Sequence, residues 1–265
     1  MSFVSTARRL GRQVFKARPQ RPAVVSLPNA ANDARLMALK DVHRGRRAFL
    51  LGNGPSLKIP DIDRLKDEVT FASNKIYLAF QQTDWRPTYL TMCDVIVGRN
   101  IREQINALPL TKVFSWSVFE SFRDRDDVTF VNAPSAEGDA AWDALKGFRA
   151  GHSVVNLDIK LAYWMGIREM YVIGLDFSFE VPDTRSDEVA YGDKLLVSRG
   201  EVNHFHPDYR KPGETWTVPK LEDQRREFAE ARRLLEEHGG KIYNASRQTK
   251  LDVWERVDFD AVVGA

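Results

Sequence analysis

An apolar run from Ala48 to Leu51 breaks abruptly into Gly52-Asn53-Gly54-Pro55-Ser56, and an acidic, helix-compatible segment follows. This pattern reads as a buried strand opening into a tight loop at the carboxyl edge of a sheet. Glycine permits turns and close backbone approach that a Cβ would block. Asn53 and Ser56 add short polar groups, and free backbone N–H groups in such a loop receive phosphate oxygens. The loop has no third glycine and no Gly-Lys-Ser/Thr ending, so it is neither the dinucleotide fingerprint nor a Walker loop.

The rest of the chain repeats the strand-then-helix rhythm. Apolar runs at 47–51, 69–73, 88–92, 112–115, 128–131, 170–173 and 241–244 read as strands. Helical spacing of apolar residues covers 32–43, 60–65, 96–106, 153–165 and 222–238. Alternation of this kind predicts an α/β fold, a Rossmann-like, mostly parallel sheet flanked by helices. The charged stretch from about 180 to 220 carries no such period and reads as a loop-like lid insertion in a single domain spanning 32–260. A basic extension and linker over 1–31 precedes it. There Arg8, Arg9, Arg12, Lys16, Arg18 and Arg21 alternate with apolar residues and no acid intervenes.

In a parallel sheet ligands bind beyond the carboxyl ends of the strands. That rule gathers Asn53, Asn74, Asp94, Asp176 and Asn244, each just after a predicted strand, onto one edge. Gly151-His152-Ser153, at the predicted start of a helix, faces the same edge.

Bulk properties remove several function classes. A net charge of +2 over 265 residues carries no nucleic-acid signature. A lone cysteine, Cys93, excludes an internal disulfide framework and a cysteine zinc cluster, and fits a reducing cytoplasm. No apolar run approaches the roughly 20 residues needed to span a bilayer. The expected location is cytoplasmic, with peripheral contact at the inner face of the membrane through the basic amphipathic N-terminus. His204-Phe205-His206 also admits a metal reading, although no third ligand accompanies it.

Four segments together resemble a known group of proteins: Gly52-Asn53-Gly54-Pro55-Ser56-Leu57, Gly151-His152-Ser153 through Gly174-Leu175-Asp176, His204-Phe205-His206-Pro207-Asp208-Tyr209, and Lys241-Ile242-Tyr243-Asn244-Ala245-Ser246. The first two are similar to bacterial sialyltransferases that use CMP-activated sialic acid. They are equally similar to the domain of unknown function 115, which includes archaeal 6-hydroxymethylpterin pyrophosphokinases, and to motility-associated-factor glycosyltransferases. The last two match the domain-115 branch more closely.

The sialyltransferase resemblance implies that Gly52, Asn53, Gly54 and Ser56 hold the nucleotide phosphate and ribose and that Asn74 contacts the nucleotide. Gly151, His152 and Ser153 correspond to the start of a helix at the site. His206 or His204 is the implied general base, and Tyr191 or Tyr209 the implied support of the leaving phosphate. Asp94 stands where those enzymes carry an asparagine, a departure at a phosphate site. This reading implies a nucleotide-activated, sialic-acid-like donor, a glycan or glycolipid acceptor in surface-glycan assembly, and no cofactor. The pyrophosphokinase branch implies Mg and ATP instead, with Asp94 and Asp176 as the metal carboxylates and Lys75 or Arg149 offsetting phosphate charge. A third reading is a nucleotide-binding protein without turnover.

Overall fold

The computed structural model describes residues 29–132 and 142–264. The basic residues of the predicted N-terminal extension therefore lie outside the described residues. The main sheet comprises β1 (Arg47–Leu51), β2 (Val69–Ser73), β3 (Tyr89–Met92), β4 (Lys112–Ser115), β5 (Val128–Val131) and β6 (Glu169–Ile173). After β6 come β7 (Arg185–Ala190), β8 (Asp193–Val197) and β9 (Thr215–Trp216), which form a separate three-stranded sheet. Strands β10 (Lys241–Asn244) and β11 (Glu255–Arg256) return to the main sheet. The helices are α1 (Ala30–Leu39), α2 (Ile59–Asp63), α3 (Val95–Asn100), α4 (Arg102–Asn106), α5 (Phe119–Phe122), α6 (Val154–Trp164), α7 (Leu221–Glu237) and α8 (Phe259–Val263).

The eight-stranded sheet runs in the order β11-β10-β6-β1-β2-β3-β4-β5. Every neighbouring pair in it is parallel. The α/β, Rossmann-like class expected from the sequence is the observed one. Chain order proceeds outward from β1 to β5 on one side and from β6 to β11 on the other, so it reverses between β1 and β6. At such a reversal the loops leaving adjacent strands diverge to opposite faces and open a crevice.

Both faces of the sheet are covered, which explains why β1 reads as an unbroken apolar run. Successive side chains alternate: Ala48 and Leu50 enter one core with Leu36, Leu157 and Phe228, from α1, α6 and α7. Phe49 and Leu51 enter the other with Ile62, Ile105, Phe122 and Phe259. The edge strand β5 is protected by a side chain rather than by another strand. The Asn32 amide of α1, fully buried, donates to the Phe130 carbonyl and accepts from the Phe130 N–H, both at 2.8 Å. It thereby occupies ladder positions that an intruding strand would use.

Three differences from the sequence reading have physical reasons. The expected helix over 96–106 breaks into α3 and α4 at Ile101, whose φ of −117° leaves helical space. The stretch read as loop between 180 and 220 contains β7, β8 and β9. Residues of β7 are all exposed or half-exposed, so no buried face imposes an apolar alternation on its sequence. β11 and α8 are too short, at two and five residues, to carry a periodic signal. Among the described residues no helix is long and apolar enough to cross a membrane.

Helix α6 carries Asn156, Asp158 and Lys160, all buried. Lys160 donates to the Arg149 carbonyl at 3.0 Å and Asn156 to the Ala150 carbonyl at 3.2 Å. Burial pushes the Asp158 carboxyl up to about 8, opposed by the neighbouring Thr91 hydroxyl. The folded state thus holds a proton that the unfolded chain releases near pH 4. Stability therefore falls as pH rises from about 4 to about 8 and levels off above that. Asp158→Asn should remove this dependence, raising the unfolding midpoint more at pH 8 than at pH 5. An equal or smaller gain at pH 8 in thermal unfolding would contradict a buried, protonated Asp158.

Candidate active site

The loops after β1 and β6 interlock at the reversal of strand order. Gly52 N–H donates to the Ile173 carbonyl and Gly54 N–H to the Gly174 carbonyl, each at 2.8 Å. A Cβ on Gly52 would fall 2.4 Å from the Gly174 oxygen, and one on Gly54 would fall 1.9 Å from Asp176 Oδ2. Gly174 itself has φ +65°. Ser56 completes the junction, its N–H lying 3.2 Å from both Asp176 carboxylate oxygens and its hydroxyl donating to Oδ2 at 2.9 Å. These glycines are required by contact between two loops. The N–H groups of Gly52, Gly54 and Ser56 point into that contact rather than outward as a phosphate cradle.

Asn53, in contrast, faces the crevice. Its Nδ2 donates to the Ser73 carbonyl at 3.3 Å and to the Ser73 hydroxyl at 3.2 Å. A carbonyl only accepts, so this fixes which end of the amide is oxygen. Oδ1 is then left buried with no hydrogen-bond partner. One strand over, Asn74 stands at φ +55°, and its Oδ1 is likewise buried without a partner. Unpaired buried acceptors cost about 1–3 kcal/mol each, and the two asparagines that carry them line one small crevice of about 130 Å³.

The roof of the crevice is the His204–Arg210 segment. Phe205 N–H donates to the Asn53 carbonyl at 2.9 Å. Tyr209 is buried beside Asn74 and Lys75, and that burial raises its pKa well above the usual range. His204 stacks on Tyr209 with ring centroids 3.8 Å apart and planes within 4°. His204 Nδ1 lies 2.9 Å from Glu201 Oε1, approached away from the ring's N–H axis, so the contact is not a linear hydrogen bond. Burial holds the His204 imidazole below its ordinary pKa, against the raising effect of Glu201. Even so, the carboxylate favours the tautomer with its proton on Nδ1, leaving Nε2 as the basic nitrogen.

A larger cleft of about 640 Å³ continues from the crevice, sharing Asn74, Ser153, Phe179, His204, Tyr209 and Gln224 with it. Ser153 caps α6, its hydroxyl accepting from Val155 N–H at 3.3 Å. Glu227 of α7 holds the preceding turn: one oxygen accepts from His152 N–H and the other meets His152 Nδ1, both at 2.8 Å. Gly151, at φ +69°, leaves the space this carboxylate fills, since a Cβ there would lie 2.3 Å from it.

Asp94 caps α3, with Oδ1 accepting from Ile96 N–H at 2.8 Å and Val97 N–H at 3.2 Å. Its second oxygen accepts from the Thr217 hydroxyl at 3.1 Å. An acid at this strand end is thereby explained by helix capping.

The structure separates other candidates that the sequence left together. His204 borders both cavities, whereas His206 borders neither and caps a short turn by accepting from Asp208 N–H at 3.1 Å. Tyr209 sits at the crevice. Tyr191 stands at the rim of the larger cleft, its hydroxyl accepting from Val95 N–H at 2.9 Å. Asp94 borders only the larger cleft and Asp176 only the crevice, and each is engaged as cap or strut. Among the described residues no group of three or more His, Cys, Asp or Glu is arranged to hold a metal ion. Lys75 is paired with Glu214 at 3.0 Å, while Arg149 borders the larger cleft. Asn244 turns inward, fully buried, onto Ser246 N–H.

Arg210 was not legible in the sequence. Its guanidinium lies over the Trp216 ring at 3.8 Å, 4.0 Å from Glu201, in the wall of the larger cleft. Its position after Tyr209 in the His204–Tyr209 segment is the only sequence signal that could have singled it out.

No family model matches the chain, so the sequence resemblance to domain 115 gains no support there. No curated protein matches it either. Among solved structures, the chain is similar to the sialyltransferase CstII from Campylobacter jejuni in complex with a substrate analogue, cytidine-5'-monophosphate. The identity is 13%, the match covers 82% of this chain and 86% of that one, and the TM-score is 0.42.

The interlock is testable by overpacking. Gly52→Ala meets a backbone oxygen that cannot swing aside, and should destabilise the protein by about 1–3 kcal/mol. Gly192→Ala has open space around its Cβ and only the cost of its positive φ, so it should lose less in urea unfolding.

Proposed function

We propose that this protein is a glycosyltransferase acting on a nucleotide-activated sugar bound across the β1/β6 reversal. The observation that carries this reading is the pair of buried, unpartnered amide oxygens of Asn53 and Asn74, set beside a buried histidine–carboxylate contact. Amide oxygens in a narrow crevice suit hydroxyl and amine donors, as a ribose and a nucleobase present them. The sequence resemblance narrows the donor to a CMP-activated nonulosonic acid and the setting to surface-glycan assembly, without a cofactor.

In this reading the nucleoside occupies the crevice and the transferred sugar lies at its junction with the larger cleft. His204 Nε2 takes the proton of the acceptor hydroxyl as that oxygen bonds to the anomeric carbon. The electron pair of the breaking bond stays with the departing nucleotide phosphate. Arg210, together with the N-terminus of α6 at Ser153, offsets the charge that grows there. Tyr209 keeps the imidazole flat against the crevice, and the β7–β9 sheet acts as the lid that excludes water. The Mg/ATP pyrophosphoryl reading has less support, because Asp94 and Asp176 are already engaged by backbone N–H groups and hydroxyls.

Calorimetry with CMP and with ATP, each with magnesium and with EDTA, tests the assignment. CMP binding that is indifferent to EDTA and lost in Asn53→Ala and Asn74→Ala is expected. Magnesium-dependent ATP binding lost in Asp94→Asn would overturn it.

Donor turnover supplies a second check. A histidine with a lowered pKa stays neutral, and so competent as a base, until the pH drops below its ordinary value. The acid limb of kcat/KM should therefore lie below pH ~6.5. His204→Asn should cost about 10²–10⁴-fold in kcat, and His206→Asn under tenfold, judged against this same range.

A further inference from the structure

Among the described residues few large apolar side chains are exposed, and two of them meet the rim of one cavity. Trp116 is 40% exposed and Tyr191 57%, and both border the larger cleft while neither borders the crevice. They come from different elements, Trp116 from the short turn after β4 and Tyr191 from the β7–β8 hairpin.

The segments that carry both rings are anchored. Ala190 pairs with Asp193, so Tyr191 and Gly192 form a two-residue hairpin turn with φ of +51° and +84°. Positive φ at both positions belongs to a turn that ordinarily takes Asn or Asp before glycine. Tyrosine there is strained, and such outliers gather at functional positions. The hydroxyl of Tyr191 is fixed by Val95 N–H at 2.9 Å, and the hairpin is tied to α3 again by the Glu188–Arg99 pair at 2.8 Å. On the other side, the Ser115 hydroxyl accepts from Ser117 N–H at 3.2 Å, and Ser117 donates to the Cys93 carbonyl at 2.6 Å. Neither aromatic ring is needed by a core, yet each backbone is anchored.

We propose that Trp116 and Tyr191 form the acceptor subsite of this protein, a pair of aromatic faces that take the apolar face of a neutral pyranose ring. This rests on the glycosyltransferase reading. Lys220 and Asp193 beside Tyr191 pair with each other and Asp94 is engaged by Thr217 and α3, which leaves these rim positions suited to an uncharged, polyhydroxylated occupant. Aromatic faces bind the C–H side of a sugar, and Ser115 and Ser117 line the same cleft. His204, common to both cavities, stands between this subsite and the nucleotide crevice, where an acceptor hydroxyl must lose its proton.

The test measures two affinities on the full chain. CMP binding is followed by calorimetry, and methyl β-galactoside and methyl β-glucoside binding by saturation-transfer NMR with and without CMP. Trp116→Ala should weaken glycoside binding about tenfold, the scale of one lost aromatic contact, and leave CMP affinity unchanged. Tyr191→Ala should act in the same direction, whereas Tyr191→Phe, which keeps the ring and loses the Val95 contact, should retain most of the affinity. Circular dichroism and melting temperature matched to the parent protein establish that each variant is folded. If CMP binds and neither glycoside does, or if Trp116→Ala leaves glycoside affinity intact, the subsite proposal fails while the nucleotide reading stands. If a glycoside binds through Trp116 and CMP does not bind, the subsite stands and the nucleotide reading fails.

Discussion

The contact between the loops leaving β1 and β6 sets the geometry on which everything at the carboxyl edge depends. Two parallel strands that are neighbours in the sheet but distant in sequence send their chains in different directions, and the gap between them must be closed or it would admit bulk water. Here it is closed at its base by backbone meeting backbone. Gly52 and Gly54 donate to Ile173 and Gly174 without room for a Cβ, and the Asp176 carboxylate binds Ser56 from above. Burial raises the Asp176 pKa and the Ser56 hydrogen bonds lower it, which marks a carboxylate held for structure at some electrostatic cost. What remains open is a narrow crevice bounded by asparagine side chains.

That rigid floor gives the residues after β6 something to rest on. The segment from Asn203 to Arg210 comes from a part of the chain with few apolar residues, and it is positioned by polar contacts. Asn203 exchanges both hydrogen bonds with the backbone of Glu180, Phe205 reaches Asn53, and the Lys75 ammonium lies over the Tyr209 ring at 5.9 Å. A histidine carried on such a segment is placed by the strand ends it touches. Its neutral state follows from the same burial, so position and protonation have one cause. Arg210 is likewise half-paired, 4.0 Å from Glu201 and stacked on Trp216, which keeps a cation near the cleft without neutralising it fully.

Much of this was legible in the primary structure, and the parts that were not have specific reasons. The strands β1 to β5 announce themselves because both faces are buried, so their sequences are largely apolar. The strand-end polar residues follow from that reading and from the parallel rule. Their individual roles do not. Asp94 as a helix cap and Asp176 as a strut against Ser56 look the same in sequence as two carboxylates awaiting a metal. His204 and His206 are two residues apart, and which one turns to the crevice depends on the turn Pro207–Tyr209 and the stack on Tyr209.

The amino-acid sequence by itself determined the parallel sheet, its flanking helices and the edge where polar residues collect. Those depend on local periodicity and on burial of each element against its neighbours, which short stretches of chain encode. Only the tertiary structure decided that glycines serve an interlock between loops, that Glu227 steadies Gly151 and His152, and that Trp116 and Tyr191 share a rim. Each of those facts joins residues that are 75 to 122 positions apart, as Tyr191 is from Trp116 and Gly174 from Gly52. Contacts at that range are fixed by the order of strands in the sheet, and no local pattern records it.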